Sequence, residues 1–163
     1  DRDALWSRLK DGTIDCVVTD HAPHTLESKS VGFPNAPAGM PGVETSLPLM
    51  LTHASDGKCS VSEVVSWMCE GPAKVYGIQN KGSLIEGYDA DLTLVDLETK
   101  RTITDADTWT KVGWTPYDGM ELTGWPRYTI VDGEIVHERE ENGTLRGSPV
   151  ALPGSVGRAL KFG

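Results

Sequence analysis

Residues 13 to 20, Thr13-Ile14-Asp15-Cys16-Val17-Val18-Thr19-Asp20, constrain the fold more than any other stretch of the chain. The apolar part is short, β-branched and nearly continuous, which suits a strand buried on both faces, as in a parallel sheet. Just before it, Leu5, Trp6 and Leu9 share one face of a helix expected over residues 3 to 10, with Asp3 placed to cap it and Gly12 to stop it. Helix, glycine and strand in that order make the αβ half of a repeating β/α unit. A loop follows over residues 21 to 43: His21-Ala22-Pro23-His24-Thr25, then Gly32, Pro34, Pro37, Gly39, Pro41 and Gly42. A loop this long without structure of its own is functional or disordered.

Further along, residues 44 to 54 read as a helix with Leu47, Met50 and Leu51 on one side and Pro48 in its first turn. Ser60-Val61-Ser62-Glu63 has the pattern of a capping box and predicts a helix through Met68 and Cys69 that ends at Gly71. Pro72 then opens a short helical turn closed by Gly77. From Gly82 onward the hydrophobic period changes to two. Residues 91 to 96 read as a strand, and residues 128 to 131 and 134 to 137 flank Asp132-Gly133, a two-residue hairpin turn. The expected division is a β/α part over residues 1 to 80 and a β-rich part over residues 81 to 163. There is no internal repeat, and the Gly/Pro-rich tail from Asn142 reads as an extended surface arm.

With 163 residues, 38% hydrophobic and 24% charged, the chain is long enough for a sizeable core and has a globular rather than a disordered composition. A formal net charge of −9 provides no basic footprint for a phosphate backbone, so nucleic acid is not an expected partner. No apolar run reaches membrane-spanning length, so no membrane is expected either. Cys16, Cys59 and Cys69 form no CxxC pair and read as buried free thiols of a reducing compartment. Asp1-Arg2-Asp3 lacks an initiator Met and the basic and apolar regions of a signal peptide, and the helical pattern starts at once, as though cut from something longer.

Asp20 is the most informative residue. It follows an apolar strand and precedes the long loop, which in a β/α barrel is the C-terminal mouth where catalytic side chains gather. A carboxylate there can bind a divalent metal and exchange a proton with the reacting groups. The local pattern alone also fits a strand-end Asp capping the next turn, with His21 and His24 solvated, because one carboxylate does not make a metal site.

Thr-Asp-His-Ala-Pro-His-Thr over residues 19 to 25 resembles the last-strand motif of the long, bacterial class I dihydroorotases in the amidohydrolase superfamily. The loop end Ala36-Pro37-Ala38-Gly39-Met40-Pro41-Gly42-Val43-Glu44-Thr45-Ser46-Leu47-Pro48-Leu49 is similar to the same family. So are Pro72-Ala73-Lys74-Val75-Tyr76-Gly77, residues 81 to 92 and Thr115-Pro116-Tyr117-Asp118-Gly119. Gly87-Tyr88-Asp89-Ala90-Asp91-Leu92 is shared by many amidohydrolases, whereas Asp20-His21-Ala22-Pro23-His24 is more specific to dihydroorotases.

The resemblance implies an α/β fold: the C-terminal part of a (β/α)8 amidohydrolase barrel followed by the C-terminal strands of a small β-sandwich. It implies a cytoplasmic, zinc-dependent interconversion of L-dihydroorotate and N-carbamoyl-L-aspartate in pyrimidine synthesis. Asp20 would be a metal ligand and the acid/base group, His24 would bind the substrate carboxylate, the backbone at Pro41 and Gly42 would contact substrate, and His21 would support the site. The family's other ligands to its one or two zinc ions, a His-x-His and later histidines among them, have no counterpart here and would lie on a missing N-terminal portion. The segment alone is therefore expected to be inactive, and unstable or associated with that portion. A homodimer or an aspartate transcarbamoylase partner also fits the family. Two alternatives are a non-catalytic dihydroorotase-like scaffold for aspartate transcarbamoylase, and another cyclic amidase such as an allantoinase or dihydropyrimidinase.

Other residues have plainer readings. His53 would cap a helix C-terminus with a favourable dipole, His137 would be exposed on its hairpin, and Gly39 and Gly42 could serve turn geometry alone. Trp67, Trp109, Trp114 and Trp125 read as packing residues.

Overall fold

A computed structural model describes residues 1–139, 148–149 and 157–162. Helix α1 (Arg2–Lys10) starts two residues earlier than its sequence suggests. Asp1 is the N-cap, and Asp3 sits inside the first turn, where its charge complements the helix dipole. Gly12, at φ +78°, takes the left-handed turn that ends it. The expected strand over residues 13 to 20 does not form: residues 13 and 14 bend, and residues 15 to 20 belong to no sheet. A parallel strand gets its hydrogen-bond ladder from neighbouring strands, and none lies beside it among the described residues. Val18 is accordingly 58% exposed.

The loop contains one short helix, α2 (Leu26–Lys29), whose N-cap hydroxyl on Thr25 accepts from the Ser28 N–H. Helix α3 (Ser46–Ser55) carries Pro48 in its first turn, as expected, and buries Pro48, Met50 and Leu51. Helix α4 (Val61–Val65) opens with the anticipated capping box: Ser60 Oγ accepts from the Glu63 N–H, and the Glu63 carboxylate accepts from the Ser60 N–H.

Gly71 does not end this helix. A π-helical turn (Ser66–Glu70) leads straight into α5 (Gly71–Val75), and Gly71 itself is helical, φ −56° and ψ −57°. The glycine is there for space: a Cβ would fall 2.5 Å from the Asp15 carbonyl oxygen. The extended segment is held at this point, the Val17 N–H donating to the Trp67 carbonyl at 2.9 Å.

Among the described residues, four antiparallel strands follow in the order β1 (Leu92–Thr102), β2 (Glu121–Val131), β3 (Glu134–Glu138) and β4 (Ser148–Pro149). Strands β1 and β2 are longer than the period-two runs suggest. Gly124 and Pro126 break the pattern in the sequence, but Pro126 pairs with Val95 next to a register shift, where a residue without an N–H is tolerated. Asp132 (φ +52°) and Gly133 (φ +84°) form the expected tight turn between β2 and β3. The surface arm expected from Asn142 lies largely outside the described residues. Of the part described, β4 pairs with β3, and the Lys161 carbonyl accepts from the Gln79 N–H at 2.8 Å.

Helix α3 joins two apolar clusters. Met50 and Leu51 pack with Leu9, Val64 and Trp67, while Leu49 packs on Ile103, Leu122 and Trp125 of the sheet side. Thr52 ties the helix to β2: its hydroxyl accepts from the Thr123 N–H at 2.8 Å and lies 2.7 Å from the Pro48 carbonyl. Thr52→Val keeps the shape but leaves that amide unpaired. It is expected to destabilise the fold by about 1–3 kcal/mol, read as a shift in urea midpoint at constant m-value; an unchanged midpoint would refute the role.

The side-chain expectations fare unevenly. Trp67 and Trp125 are buried, but Trp109 is exposed. Cys16 and Cys59 are half-buried, and Cys69 is exposed rather than buried. Burial first, with Glu63 adding to it, pushes the Cys59 thiol upward, against any thiolate role. His53 does sit in the last turn of α3. Burial, then the Lys58 ammonium, pushes its pKa below the ordinary histidine value, against a charged cap, and the ring packs edge-on against Trp6 at 5.1 Å. His137 is half-buried rather than exposed.

Candidate functional site

Asp20 ends the extended segment with its side chain exposed and its backbone in the left-handed region, φ +43°. Asp tolerates that region better than most residues, because its short polar side chain can bond locally. The turn sends the chain from the core directly into the long loop.

The loop returns to the same place. Gly42 and Val43 donate their N–H groups to His21 Nδ1 at 3.1 and 3.3 Å. The Nδ1 position is therefore an acceptor, and the ring proton sits on Nε2. Gly42 lies against Thr19, where a Cβ would meet Thr19 at 3.5 Å, and the Ala22 N–H donates to the Met40 carbonyl. Gly39, at φ +97°, passes so close that a Cβ would fall 2.6 Å from the Ala22 oxygen. That close approach requires glycine there, beyond turn geometry. Thus residues 19–22 and 39–43 lie side by side as one rim, with the exposed Asp20 on one side and the buried Pro41 and half-buried Gly42 on the other. His21 has a definite role, which is to staple the rim. His21→Ala is expected to release Gly42 and Val43, read as hydrogen exchange at those two amides faster by on the order of 10-fold; unchanged exchange at both would refute it.

His24 is half-buried and is placed through its backbone: the Trp114 Nε1–H donates to its carbonyl at 2.8 Å. Lys29 Nζ donates to the Pro37 carbonyl at 2.8 Å and braces the middle of the loop. The Glu44 carboxylate accepts from the Trp109 and Thr110 N–H groups at 2.7 and 2.9 Å, fastening the loop end to the segment before β2. Sequence reasoning quoted Glu44 within the loop motif and gave it no role. An acidic residue beside the glycine-rich loop end is the only local signal.

No group of three or more His, Cys, Asp or Glu side chains among the described residues could hold a metal ion. The exposed Asp20 carboxylate fits the part of a single metal ligand; His21 Nδ1 is already taken by backbone amides. No helix among the described residues is long and apolar enough to cross a membrane.

Comparison with known proteins places this rim in context. The chain is 40% identical to the dihydroorotase of Pyrococcus furiosus over 161 residues, which is 98% of this chain and 37% of that protein. It is 44% identical to the dihydroorotase of Halobacterium salinarum over 135 residues, 83% of this chain and 32% of that protein. The chain thus spans about a third of the length of these relatives. Among solved structures, the L-hydantoinase (dihydropyrimidinase) of Arthrobacter aurescens superposes with a TM-score of 0.80 at 37% identity, covering 90% of this chain and 32% of that one. The dihydropyrimidinase of Brevibacillus agri NCHU1002 gives 0.80 at 28% identity, covering 93% and 36%. These neighbours carry the amidohydrolase fold, so the helices and small antiparallel sheet described above are part of that α/β architecture. A family model matches residues 1–136, from the first helix through the Asp20 rim and into β3, and the chain belongs to the amidohydrolase family.

Proposed function

We propose that this chain is the C-terminal portion of a dihydroorotase, a cytoplasmic enzyme of pyrimidine synthesis that interconverts L-dihydroorotate and N-carbamoyl-L-aspartate. The observation that carries the proposal is the rim: an exposed carboxylate at the end of the extended segment, held opposite Pro41 and Gly42 by His21. In this reading residues 1 to 80 are the last β/α units of a (β/α)8 barrel and residues 81 to 163 are strands and arm of a β-sandwich. Asp20 serves as a zinc ligand and as the group that carries a proton to and from the ring nitrogen. His24 receives the substrate carboxylate. The Pro41 and Gly42 backbone lines the pocket, where glycine lets a ligand approach closely. When bound, one or two zinc ions supply positive charge that polarises a carbonyl and acidifies water. Their other ligands belong to an N-terminal portion outside this chain, and the full protein works as a homodimer or with aspartate transcarbamoylase.

The test is turnover. The full-length protein with zinc is expected to hydrolyse dihydroorotate, and the 163-residue segment alone is expected not to. Turnover by the segment alone, or no turnover by the full protein, would overturn the reading. A second reading, a hydantoinase or dihydropyrimidinase, is favoured by the solved structures at TM-score 0.80. Assaying the full protein on dihydroorotate, hydantoin, dihydrouracil and allantoin separates the two.

A further inference from the structure

The long loop that carries His24 is fastened to the small sheet near both of its ends, and by one element. The connection between β1 and β2, residues 103 to 120, supplies the Trp114 Nε1–H to the His24 carbonyl at 2.8 Å. It also supplies the Trp109 and Thr110 N–H groups to the Glu44 carboxylate at 2.7 and 2.9 Å. The connection is cross-linked within itself. At its base the Ile103 N–H donates to the Met120 carbonyl at 3.0 Å and the Gly119 N–H to the Ile103 carbonyl at 2.9 Å. Its three carboxylates are spent on its own backbone: Asp105 accepts from the Thr115 N–H, Asp118 from the Asp105 N–H, and Asp107 from the Thr104 N–H. Ile103, Thr108 and Thr115 are buried. A side chain is positioned only as well as the groups behind it, and an element tied in this way is a firm support.

Position 24 is where that support counts. Pro23 restricts the chain before it, and Thr25 caps α2 after it. The Trp114 bond holds the plane of the peptide between His24 and Thr25. The base of the His24 side chain is thus set through the backbone on both sides. A tryptophan that served packing alone would need only some acceptor for its N–H. Trp125 finds one three residues away, at the Leu122 carbonyl. Trp114 reaches instead to a residue 90 positions away in sequence, the one proposed to receive the substrate carboxylate.

We propose that Trp114 is a positioning residue for substrate binding: through the His24 carbonyl it sets the aim of the His24 side chain at the substrate carboxylate, while Glu44 holds the far end of the loop. The small sheet thereby takes part in substrate recognition without touching substrate. The proposal rests on the reading of His24 as the carboxylate-binding group.

The experiment is steady-state kinetics on dihydroorotate with the full-length zinc-loaded protein, comparing Trp114→Phe, His24→Ala and the double variant. Trp114→Phe keeps aromatic bulk and removes the N–H donor. It is expected to raise KM by roughly 5- to 10-fold and to leave kcat within about 2-fold, because the bond sets where the carboxylate is held and touches no reacting group. His24→Ala is expected to raise KM further, by roughly 30-fold. Because Trp114 acts through His24, the double variant is expected to have the KM of His24→Ala alone. Effects on KM that multiply in the double variant would mean that Trp114 works by another route, and would overturn the proposal. So would a Trp114→Phe loss that falls on kcat with KM unchanged. If Trp114→Phe does not fold, Trp114→Met, which also lacks the donor and packs adaptably, takes its place with the same expected outcomes. A raised KM in His24→Ala beside the parent KM in Trp114→Phe would overturn this proposal alone. The parent KM in His24→Ala would overturn the reading of His24 and this proposal with it.

Discussion

Asp20→Asn in the full-length protein is expected to lower kcat for dihydroorotate by about 10³-fold or more, while the protein remains folded. The substitution isolates charge from shape. Asn accepts the left-handed backbone that Asp20 occupies at φ +43°, so the turn into the loop survives. The side chain is exposed, so stability should change by no more than about 0.5 kcal/mol. On the proposed reading, what is lost is a metal-binding, proton-carrying oxygen. Zinc content should fall together with activity, and the two measurements on one preparation make the case. A variant that keeps a tenth of the parent activity and its full zinc content would remove Asp20 from the chemistry and leave it as a turn residue.

Gly124→Ala is expected to destabilise the fold by about 3 kcal/mol or more, read by urea denaturation. Two effects coincide at this position. The backbone is at φ +89°, which L side chains rarely adopt, and a Cβ would lie 2.6 Å from Leu51 Cβ. Leu51 is 4% exposed and central to its cluster, so it has nowhere to move. Leu51→Ala should not rescue the variant, because the closest contact is to Cβ itself. A Gly124→Ala protein as stable as its parent would mean that α3 and β2 are free to separate.

Features made by neighbours in sequence were legible in the sequence. The capping box at Ser60 and Glu63 and the turn at Asp132-Gly133 each involve residues within a few positions, and both form as expected. Features made by tertiary contact were not. Gly71 read as a helix stop because its true constraint, the Asp15 carbonyl, lies 56 positions away. Strand β2 read short because its own glycine and proline are there for Leu51 and for a register shift opposite Val95. Residues 13 to 20 read as a strand buried on both faces, but no residue of the stretch is buried and no strand forms, because a ladder depends on strands a single segment cannot specify. At the site, local pattern singled out Asp20 and left its role open, and the family resemblance supplied the roles proposed for it and for His24, Pro41 and Gly42. Neither source indicated that His21 Nδ1 would join the two sides of the rim.

The π-helical turn at Ser66–Glu70 also sets a phase. It accommodates one more residue than a regular α-helical turn, and each residue advances an α-helix by about 100°. Deleting one residue here would wind α5 back by that angle. Gly71 would swing off the Asp15 carbonyl, a bulkier neighbour would face it, and Ala73 would leave its buried position beside Gly82. The local length of this helix is therefore fixed more tightly than its composition, and a surplus residue that looks like a defect keeps the segment ending in Asp20 in its place.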